Sequence, residues 1–429
     1  MNKHQRIVRM GLFFDGTSNN QNNVAPVDDD GRNFNDDSYA NARSNIALLH
    51  ALYPCGDVGQ QVFFKLYVEG IGTRAGEADT LFGKITGRGA TGVQARVEQT
   101  LLKVGELLRD YLGDEPQAVP ERVEFDLFGF SRGAAAARHL ANRLGAGEPG
   151  LPVELQGERQ INFIGLFDTV AAIVAPLQGN FSPANTDYGG LRLGLGRHVA
   201  RQVVQLVAGH EQRHNFPLVS SANDIVVPGV HSNIGGGYLE TMREHVLLCK
   251  PHVCRVSRTK PVEQTSAWVA ANALLASAFA DVAEPRPQLL TWEEPVAGGR
   301  ARREDLEKLV YAAVYREREV SGHLSRVYLS IMRELGVRGG VPFMPLGDDE
   351  AHRLPDELGG ISAKLHDHVL GAKGGPVLSA DEEALLQWKY VHHSANWNAP
   401  GSMRGSPLDV IYFNRPAEGG RVVHENPVD

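Results

Sequence analysis

Short apolar runs alternate with stretches of helical periodicity along the first part of the chain. Residues 6–14, 61–70 and 123–128 are rich in β-branched and aromatic side chains, which is typical of buried strands. Residues 41–53 and 92–111 place apolar side chains three and four positions apart, as on one face of a helix. Because strands alternate with helices, the pattern predicts an α/β fold with a mostly parallel central sheet flanked by helices.

The same pattern continues with two more predicted strands and one more helix. Residues 160–173 form an apolar run, and Asp224–Val227 is a shorter run of the same kind. The stretch around His198–Ala208 predicts a helix. A loop is expected to begin at 229–231 and to be closed by the three glycines at 235–237.

Helical patterns dominate the second half of the chain. We predict four helices there, at 265–282, 302–318, 322–335 and 355–370. The first is apolar around most of its circumference, which favours a buried helix over a lid on an apolar pocket. The chain therefore divides into three predicted segments: an α/β core at 1–240, a mainly helical insertion or cap at 241–380, and a C-terminal segment at 381–429 that packs back on the core.

The turn Gly129-Phe-Ser131-Arg-Gly133 is the most informative stretch of the sequence. It joins the strand at 123–128 to an alanine-rich helix and matches the G-x-S-x-G pattern of a nucleophile elbow. Gly129 and Gly133 would let neighbouring backbone pass close to the turn, while Ser131 projects above the sheet. The structural alternative is a tight strand-to-helix turn with a capping serine.

Asp168 and His231 follow Ser131 along the chain, each where a strand-like run enters a turn. Ser, then Asp, then His is the order used by α/β-hydrolases, so the sequence predicts an α/β-hydrolase-like fold with a catalytic triad. Replacements stay open for two positions. Asp224 would replace Asp168 as the acid, and one of the two histidines at 392 and 393 would replace His231 as the base.

The loop after the first strand predicts the rest of the site. α/β sheets place binding groups at the carboxyl ends of their strands, and Asp15, Gly16 and Thr17 stand there. We expect an oxyanion hole made of the Arg132 N–H and a second N–H from Gly16 or Thr17. Asp15 is interpreted first as a buried organiser of this loop and second as a metal ligand. A haloacid-dehalogenase phosphatase would need an aspartate where Thr17 stands.

Composition and charge exclude several classes of protein. The chain has 429 residues and a net charge of −8, with lysine and arginine spread along it, so no nucleic-acid partner is expected. There is no run of 18 apolar residues, and a transmembrane helix is therefore not predicted. The first residues lack the apolar core of a signal peptide, so we expect synthesis in the cytoplasm and export by other machinery.

No cofactor or metal is predicted. The three cysteines do not build a disulfide framework. His245, Cys249, His252 and Cys254 lie close together in sequence, but their spacing matches no standard zinc module. A loop after a short element is the preferred interpretation of this stretch.

Five segments together resemble the α/β-hydrolase domains of bacterial type VI secretion phospholipase effectors, the Tle group, and their uncharacterised relatives. They are FFDGTSNN, YVEGIGT, GFSRGAAAARHLAN, GLFDTV and VPGVHSNIGGGY, with YVHHSA (His392 and His393) as a weaker sixth. The resemblance assigns the nucleophile to Ser131, the acid to Asp168 and the base to His231. This chain departs from the family at Asn233, where an aspartate is common.

The resemblance implies a phospholipase A-type antibacterial effector that acts on membrane phospholipid in the periplasm or membrane of a target cell. A type VI secretion system would deliver it, with a spike or adaptor protein and a cognate immunity protein as partners. Two other functions fit the same residues. One is a soluble carboxylesterase for small esters, and the other is a catalytically inactive adaptor with a hydrolase fold.

Overall fold

The computed structural model describes residues 7–21, 41–59, 61–73, 92–113, 120, 122–145, 150–171, 185–282, 284–296, 306–371 and 378–428. Its strands are β1 (Ile7–Phe14), β2 (Gly56–Val58), β3 (Gln61–Val68), β4 (Arg122–Phe130), β5 (Glu158–Phe167), β6 (Gln202–Ala208), β7 (Leu218–Val219), β8 (Asp224–Val227), β9 (Thr241–Leu247), β10 (His252–Ser257), β11 (Gln288–Pro295), β12 (Glu307–Ser321) and β13 (Val423–His424). Its α-helices are α1 (Asn45–Leu52), α2 (Val93–Leu112), α3 (Arg132–Arg143), α4 (His231–Gly235), α5 (Ser266–Ser277), α6 (Leu324–Arg338), α7 (Asp356–Leu370) and α8 (Ala380–Leu385).

A seven-stranded sheet with the order β2-β3-β1-β4-β5-β6-β8 forms the centre of the molecule. Every neighbouring pair in it is parallel except β2 and β3. Strands β1, β4 and β5 are buried along most of their length, which explains why their sequences are nearly continuous apolar runs. The predicted α/β-hydrolase-like fold is confirmed.

Helices cover both faces of this sheet. On one face α2 and α3 bury a stripe that includes Val97, Leu101 and Leu140. On the other face α1, α6 and α7 pack through Leu49, Met332 and many other apolar side chains. The apolar spacing of α2 in the sequence corresponds to the face that it buries. Within the described residues, no helix is long and apolar enough to cross a membrane.

A second, antiparallel sheet corrects the expectation of a mainly helical segment at 241–380. Strand β12 lies at its centre and pairs with β9, β10 and β11. The helix predicted at 302–318 is therefore wrong where the structure describes it, because residues 307–318 belong to β12. Its lysine, arginine, glutamate and alanine residues favour helices, but pairing with strands on both sides overrides that propensity.

Two other expectations about single elements are also wrong. The helix predicted around His198–Ala208 is strand β6, whose valines fill a place between β5 and β8 in the central sheet. Helix α5 is not buried all round: it covers the second sheet with Ala267 and Ala271, while Val269 is 56% exposed. A helix this rich in alanine can be apolar in sequence and still leave part of its surface exposed to solvent.

The topology gathers the candidate site at one edge of the central sheet. Strands β1, β4 and β5 are neighbours that run parallel, so their carboxyl ends lie side by side. Asp15, Ser131 and Asp168 each follow one of these strands. The C-terminal part of the chain returns to the same region, where β13 pairs in parallel with β7.

Candidate active site

Ser131 occupies a strained turn between β4 and α3. Its backbone has φ 58° and ψ −126°, a conformation that residues with a side chain rarely adopt. Hydrogen bonds from Ser131 N to Phe167 O (3.0 Å) and from Val170 N to Ser131 O (3.3 Å) hold the turn against the end of β5. This is the backbone geometry of a nucleophile elbow.

The two glycines of the motif are needed for close packing of backbone. A Cβ atom on Gly133 would lie 2.3 Å from the carbonyl oxygens of both Phe14 and Asp15. A Cβ atom on Gly129 would lie 2.5 Å from the Cα atom of Ala134. Glycine at these positions lets the first turn of α3 press against the end of β1, so that the elbow and the loop after β1 adjoin.

Asp168 is a fully buried carboxylate with four hydrogen bonds. His231 Nδ1 lies 2.5 Å from its Oδ2 atom, and Ala208 N donates to Oδ1 at 3.0 Å. Arg421 donates to both oxygens, at 2.7 and 2.8 Å. Burial opposes the charged carboxylate, but the charge of Arg421 and the hydrogen bonds from His231 and Arg421 outweigh it and lower the pKa of Asp168 below its ordinary value.

His231 begins helix α4 and is held from three sides. Its ring lies 4.6 Å from that of Phe130 and 5.0 Å from that of Phe216, between centroids. Because Nδ1 is bonded to Asp168, Nε2 is the ring nitrogen that this carboxylate does not use. Burial lowers the pKa of His231, although the Asp168 carboxylate opposes this change.

The serine and the histidine are neighbours without a direct hydrogen bond. Among the described residues, the Ser131 hydroxyl makes no hydrogen bond with the His231 ring, and the ring touches the elbow through Phe130, the residue before Ser131. Such bonds are often long in unliganded enzymes and tighten when substrate binds. The structure thus joins Asp168 to His231 directly and sets both beside the elbow.

Glu211 supports the backbone of His231. Its Oε2 atom accepts the His231 N–H at 3.2 Å, while Arg213 and Ser394 donate to the same carboxylate. Burial raises the pKa of Glu211, but the charge and hydrogen bonds of Arg213 prevail and lower it to about 2. Glu211 is therefore a charged residue that holds the backbone of His231 in place.

Asp15 organises the loop after β1. Its Oδ1 atom accepts the Gly16 N–H at 2.7 Å, and its Oδ2 atom accepts hydrogen bonds from Ser44 Oγ (2.7 Å) and Tyr67 Oη (2.6 Å). Burial raises the pKa of Asp15 to about 6 despite these bonds. Both oxygens already have donors, which does not favour the interpretation of Asp15 as a metal ligand.

Thr17 connects this loop to the elbow. The Arg132 Nε atom donates to Thr17 Oγ1 at 2.7 Å. The Gly16 N–H is used by Asp15, whereas none of the hydrogen bonds among the described residues uses the Thr17 N–H. Of the two expected loop donors, Thr17 is thus the one with an N–H still available to a ligand.

Comparison with known proteins shows one close structural likeness. No protein-family model matches the sequence, and no curated protein matches it. The structure of the Tle1 effector bound to the VgrG spike from the type 6 secretion system superimposes with a TM-score of 0.76, at 25% identity, over 98% of this chain and 94% of that one. This chain resembles the Tle effector over nearly its whole length. The resemblance inferred from the sequence segments is therefore confirmed.

A second solved structure is less similar to this chain. It is a crystal structure of an uncharacterized protein from Pseudomonas aeruginosa, with 20% identity and a TM-score of 0.44. The match covers 87% of this chain and 52% of the other protein.

The alternative site residues that the sequence offered have other partners. His392 stacks on Tyr238 with 3.6 Å between ring centroids, and the backbone N–H of His393 donates to Glu244. Asp224 accepts hydrogen bonds from the Ser221 hydroxyl and the Gln205 amide. Within the described residues, no group of three His, Cys, Asp or Glu side chains is placed to hold a metal ion.

Sequence reasoning did not find Arg421 or Glu211. Arg421 is 253 positions from Asp168, and no local motif marks an arginine that serves a distant carboxylate. Glu211 lies in the polar stretch GHEQRHNF. Its carboxylate is buried, and only the fold brings it beneath His231.

Gly133→Ala should destabilise the protein, because the new Cβ atom would collide with two backbone carbonyls at the end of β1. Overpacking of this kind costs about 1–3 kcal/mol, and urea unfolding should show that loss. The matched control is Gly359→Ala in α7, where a Cβ atom meets open space and should stabilise the helix slightly. Equal unfolding midpoints for the two variants would contradict this account of the elbow.

Proposed function

We propose that this protein is a serine-dependent acyl-ester hydrolase, and specifically a phospholipase A-type antibacterial effector of the Tle group. The observation that carries the proposal is the buried pair of Asp168 and His231 beside a strained elbow serine. The likeness to an effector of the type 6 secretion system supports the same function. Ser131, His231 and Asp168 would be nucleophile, base and acid.

In the first half of the reaction, Ser131 Oγ attacks the ester carbonyl while His231 Nε2 takes its proton. Asp168 keeps the proton of His231 on Nδ1 and stabilises the imidazolium that forms. The tetrahedral intermediate then expels the alcohol, which receives the proton from Nε2. In the second half, water attacks the acyl-enzyme by the same proton path and releases the carboxylic acid and free Ser131.

The developing oxyanion needs two donors above the elbow. The Arg132 N–H is the first donor of helix α3, whose N-terminus carries a partial positive charge. We assign the second donor to Thr17 rather than Gly16, because Asp15 already accepts the Gly16 N–H at 2.7 Å. The loss of one such donor typically costs about 3–4 kcal/mol of transition-state stabilisation.

Ser131→Ala should lower kcat on an ester substrate about a millionfold, since a triad acts as a unit. A fluorophosphonate probe should label the wild-type protein and not this variant, because the probe reacts only with an activated serine. Ser277→Ala, an exposed serine in α5, should keep both the activity and the labelling.

The same assay separates the competing functions. Turnover that rises sharply when substrate passes from monomer to phospholipid vesicle supports the phospholipase, and a flat response points to a carboxylesterase. A wild-type protein that the probe does not label would be the inactive adaptor. Near-full activity in Ser131→Ala would end the serine-hydrolase proposal.

Arg421 is proposed as a positioning residue that acts through Asp168. Its guanidinium offsets part of the carboxylate charge that stabilises protonated His231. In Arg421→Met the pKa of His231 should therefore rise, and the acidic limb of the pH profile of kcat/KM should move to higher pH. Arg421→Lys should lie close to wild type, because the positive charge is kept.

The control for this prediction is Arg415→Met, in the same C-terminal segment but without a hydrogen bond to Asp168 among the described residues. Arg415→Met should leave the pH profile of kcat/KM unchanged. If Arg421→Met folds and its acidic limb does not move, Arg421 has only a structural role. If Arg421→Met does not fold, the pH profile of Arg421→Lys is compared with that of the wild type instead.

The effector role adds partners and a place of action. The related Tle1 effector is bound to a VgrG spike, and we propose a comparable spike or adaptor for this chain. The substrate would be membrane phospholipid on the periplasmic side of a target cell, and the producing cell would need a cognate immunity protein.

Expression with a periplasmic signal sequence should kill a bacterial host, whereas cytoplasmic expression at the same level should be tolerated. The reason is that the proposed phospholipid target is exposed on the periplasmic side. Ser131→Ala expressed in the periplasm should be harmless. Equal toxicity of the wild type and Ser131→Ala would sever the link between the toxicity and hydrolysis; plating efficiency measures both.

A further inference from the structure

A cavity of about 330 Å³ lies beside the loop that carries His231. Val230 lines it, but Ser131, Asp168 and His231 are not among its described lining residues. Three histidines, one arginine and two glutamines contribute to its wall, and no aspartate or glutamate is found among those residues. The cavity is thus rich in hydrogen-bond donors and lacks an acidic side chain in its described wall.

His392 lies in the wall of this cavity. The hydrogen bonds around it indicate which of its ring nitrogens carries the proton. Asn233 Oδ1 accepts the backbone N–H groups of Val230 and His392, both at 3.2 Å. The amide nitrogen of Asn233 must then face His392 Nδ1, which lies 3.0 Å away. An amide nitrogen donates, so Nδ1 accepts and the proton of the neutral ring is on Nε2.

This Nε2–H is a buried donor without an acceptor. His392 is 2% exposed, and its Nε2 atom has no hydrogen-bond partner among the described residues. Burial, with a smaller effect from the charge of Arg318, lowers the pKa of His392 to about 3, so the ring is neutral. Tyr238 covers one face of the ring, and the ring lines the cavity. A buried unsatisfied donor is costly and calls for a partner.

Arg316 brings a positive charge to the same cavity. It is 5% exposed and donates to the backbone carbonyls of Pro285 (3.0 Å) and Glu284 (3.5 Å). Burial and the nearby charge of Arg318 lower the pKa of Arg316 to about 10, although the charge of Glu244 opposes this change, so the guanidinium stays charged at neutral pH. A positive charge in the wall favours an anion over a cation in the cavity.

His210 contributes a second oriented imidazole. Its Nδ1 atom accepts the Gly229 N–H at 2.9 Å, which places the proton of the neutral ring on Nε2. That Nε2 atom lies 3.3 Å from the side-chain amide of Gln387, another lining residue. His210 and Gln387 thus line the same small space as His392 and Arg316.

We propose that this cavity binds a phosphate group, as free inorganic phosphate or as part of a glycerophosphoryl head group. Phosphate has several acceptor oxygens and a charge, which match the His392 Nε2–H and the Arg316 guanidinium. A metal ion does not fit, because Nε2 carries a proton. The volume is at the lower end of the roughly 300–1,000 Å³ of small-molecule sites and leaves room for a small substituent on the phosphate.

The site is linked to the proposed base. Asn233, which orients His392, is two residues after His231 in α4. Ser394, in the cavity wall, donates to Glu211 at 3.1 Å, and Glu211 accepts the His231 N–H. A phosphate in the cavity would therefore lie next to residues that contact Glu211, and Glu211 in turn holds His231.

The test is calorimetric titration of the Ser131→Ala protein with inorganic phosphate and, separately, with glycerol 3-phosphate in chloride buffer. We expect saturable one-site binding of at least one ligand, weakened tenfold or more in His392→Phe and in Arg316→Gln. Phenylalanine keeps an aromatic ring at position 392, and glutamine at position 316 keeps a hydrogen-bond donor for the carbonyls of Pro285 and Glu284. Arg255→Gln, which removes an exposed arginine outside the cavity, should bind as before.

The two ligands distinguish the source of the phosphate. Tighter binding of glycerol 3-phosphate indicates a lipid head group, and tighter binding of inorganic phosphate indicates the free ion. The proton resonance of His392 Nε2–H should move downfield on binding, which also serves if His392→Phe does not fold. No saturable binding, or unchanged affinity in Arg316→Gln, would overturn the proposal. Since no turnover is measured, the result is independent of the proposed hydrolase activity.

Discussion

The organisation of the site depends on one carboxylate that is removed from water. Asp168 is completely buried, and a charge in that position persists only if partners replace its hydration. The partners come from distant parts of the chain: the backbone at the end of β6, His231 at the start of α4, and Arg421 close to the C-terminus. The same bonds that compensate the charge therefore bring the last segment of the chain back to the sheet and fix the imidazole.

A second constraint, on backbone rather than charge, places the serine. Ser131 keeps a positive φ because hydrogen bonds to the end of β5 hold it on one side and the close contact of Gly133 with β1 holds the turn that follows. The strain is local, whereas the support comes from two neighbouring strands. Because Asp15 fixes the loop after β1 and Gly133 packs against the end of that strand, the elbow and this loop are two parts of one packed unit.

Much of this unit could be predicted from the sequence because its signals are local. The glycines around Ser131, and an aspartate and a histidine each at the end of an apolar run, reflect turn chemistry that a few residues determine. Arg421 has no such signal, since its role arises only when the C-terminal segment meets Asp168. The errors at β6 and β12 have a similar origin, because strand pairing is a property of the whole sheet and overrides the propensity of a single stretch.

Asn233 stands where the Tle group commonly has an aspartate, and this difference affects the hydrogen bonds of His392, which is distant in sequence. Asn233 accepts two backbone N–H groups with its oxygen and donates with its nitrogen to Tyr390 O and His392 Nδ1. An aspartate there could accept but not donate, so His392 would have to turn its proton to Nδ1. Its Nε2 atom would then be an acceptor and would repel an anion. The amide at 233 therefore fits the proposed binding of a phosphate in this cavity, although neither Asn233 nor His392 belongs to the proposed triad.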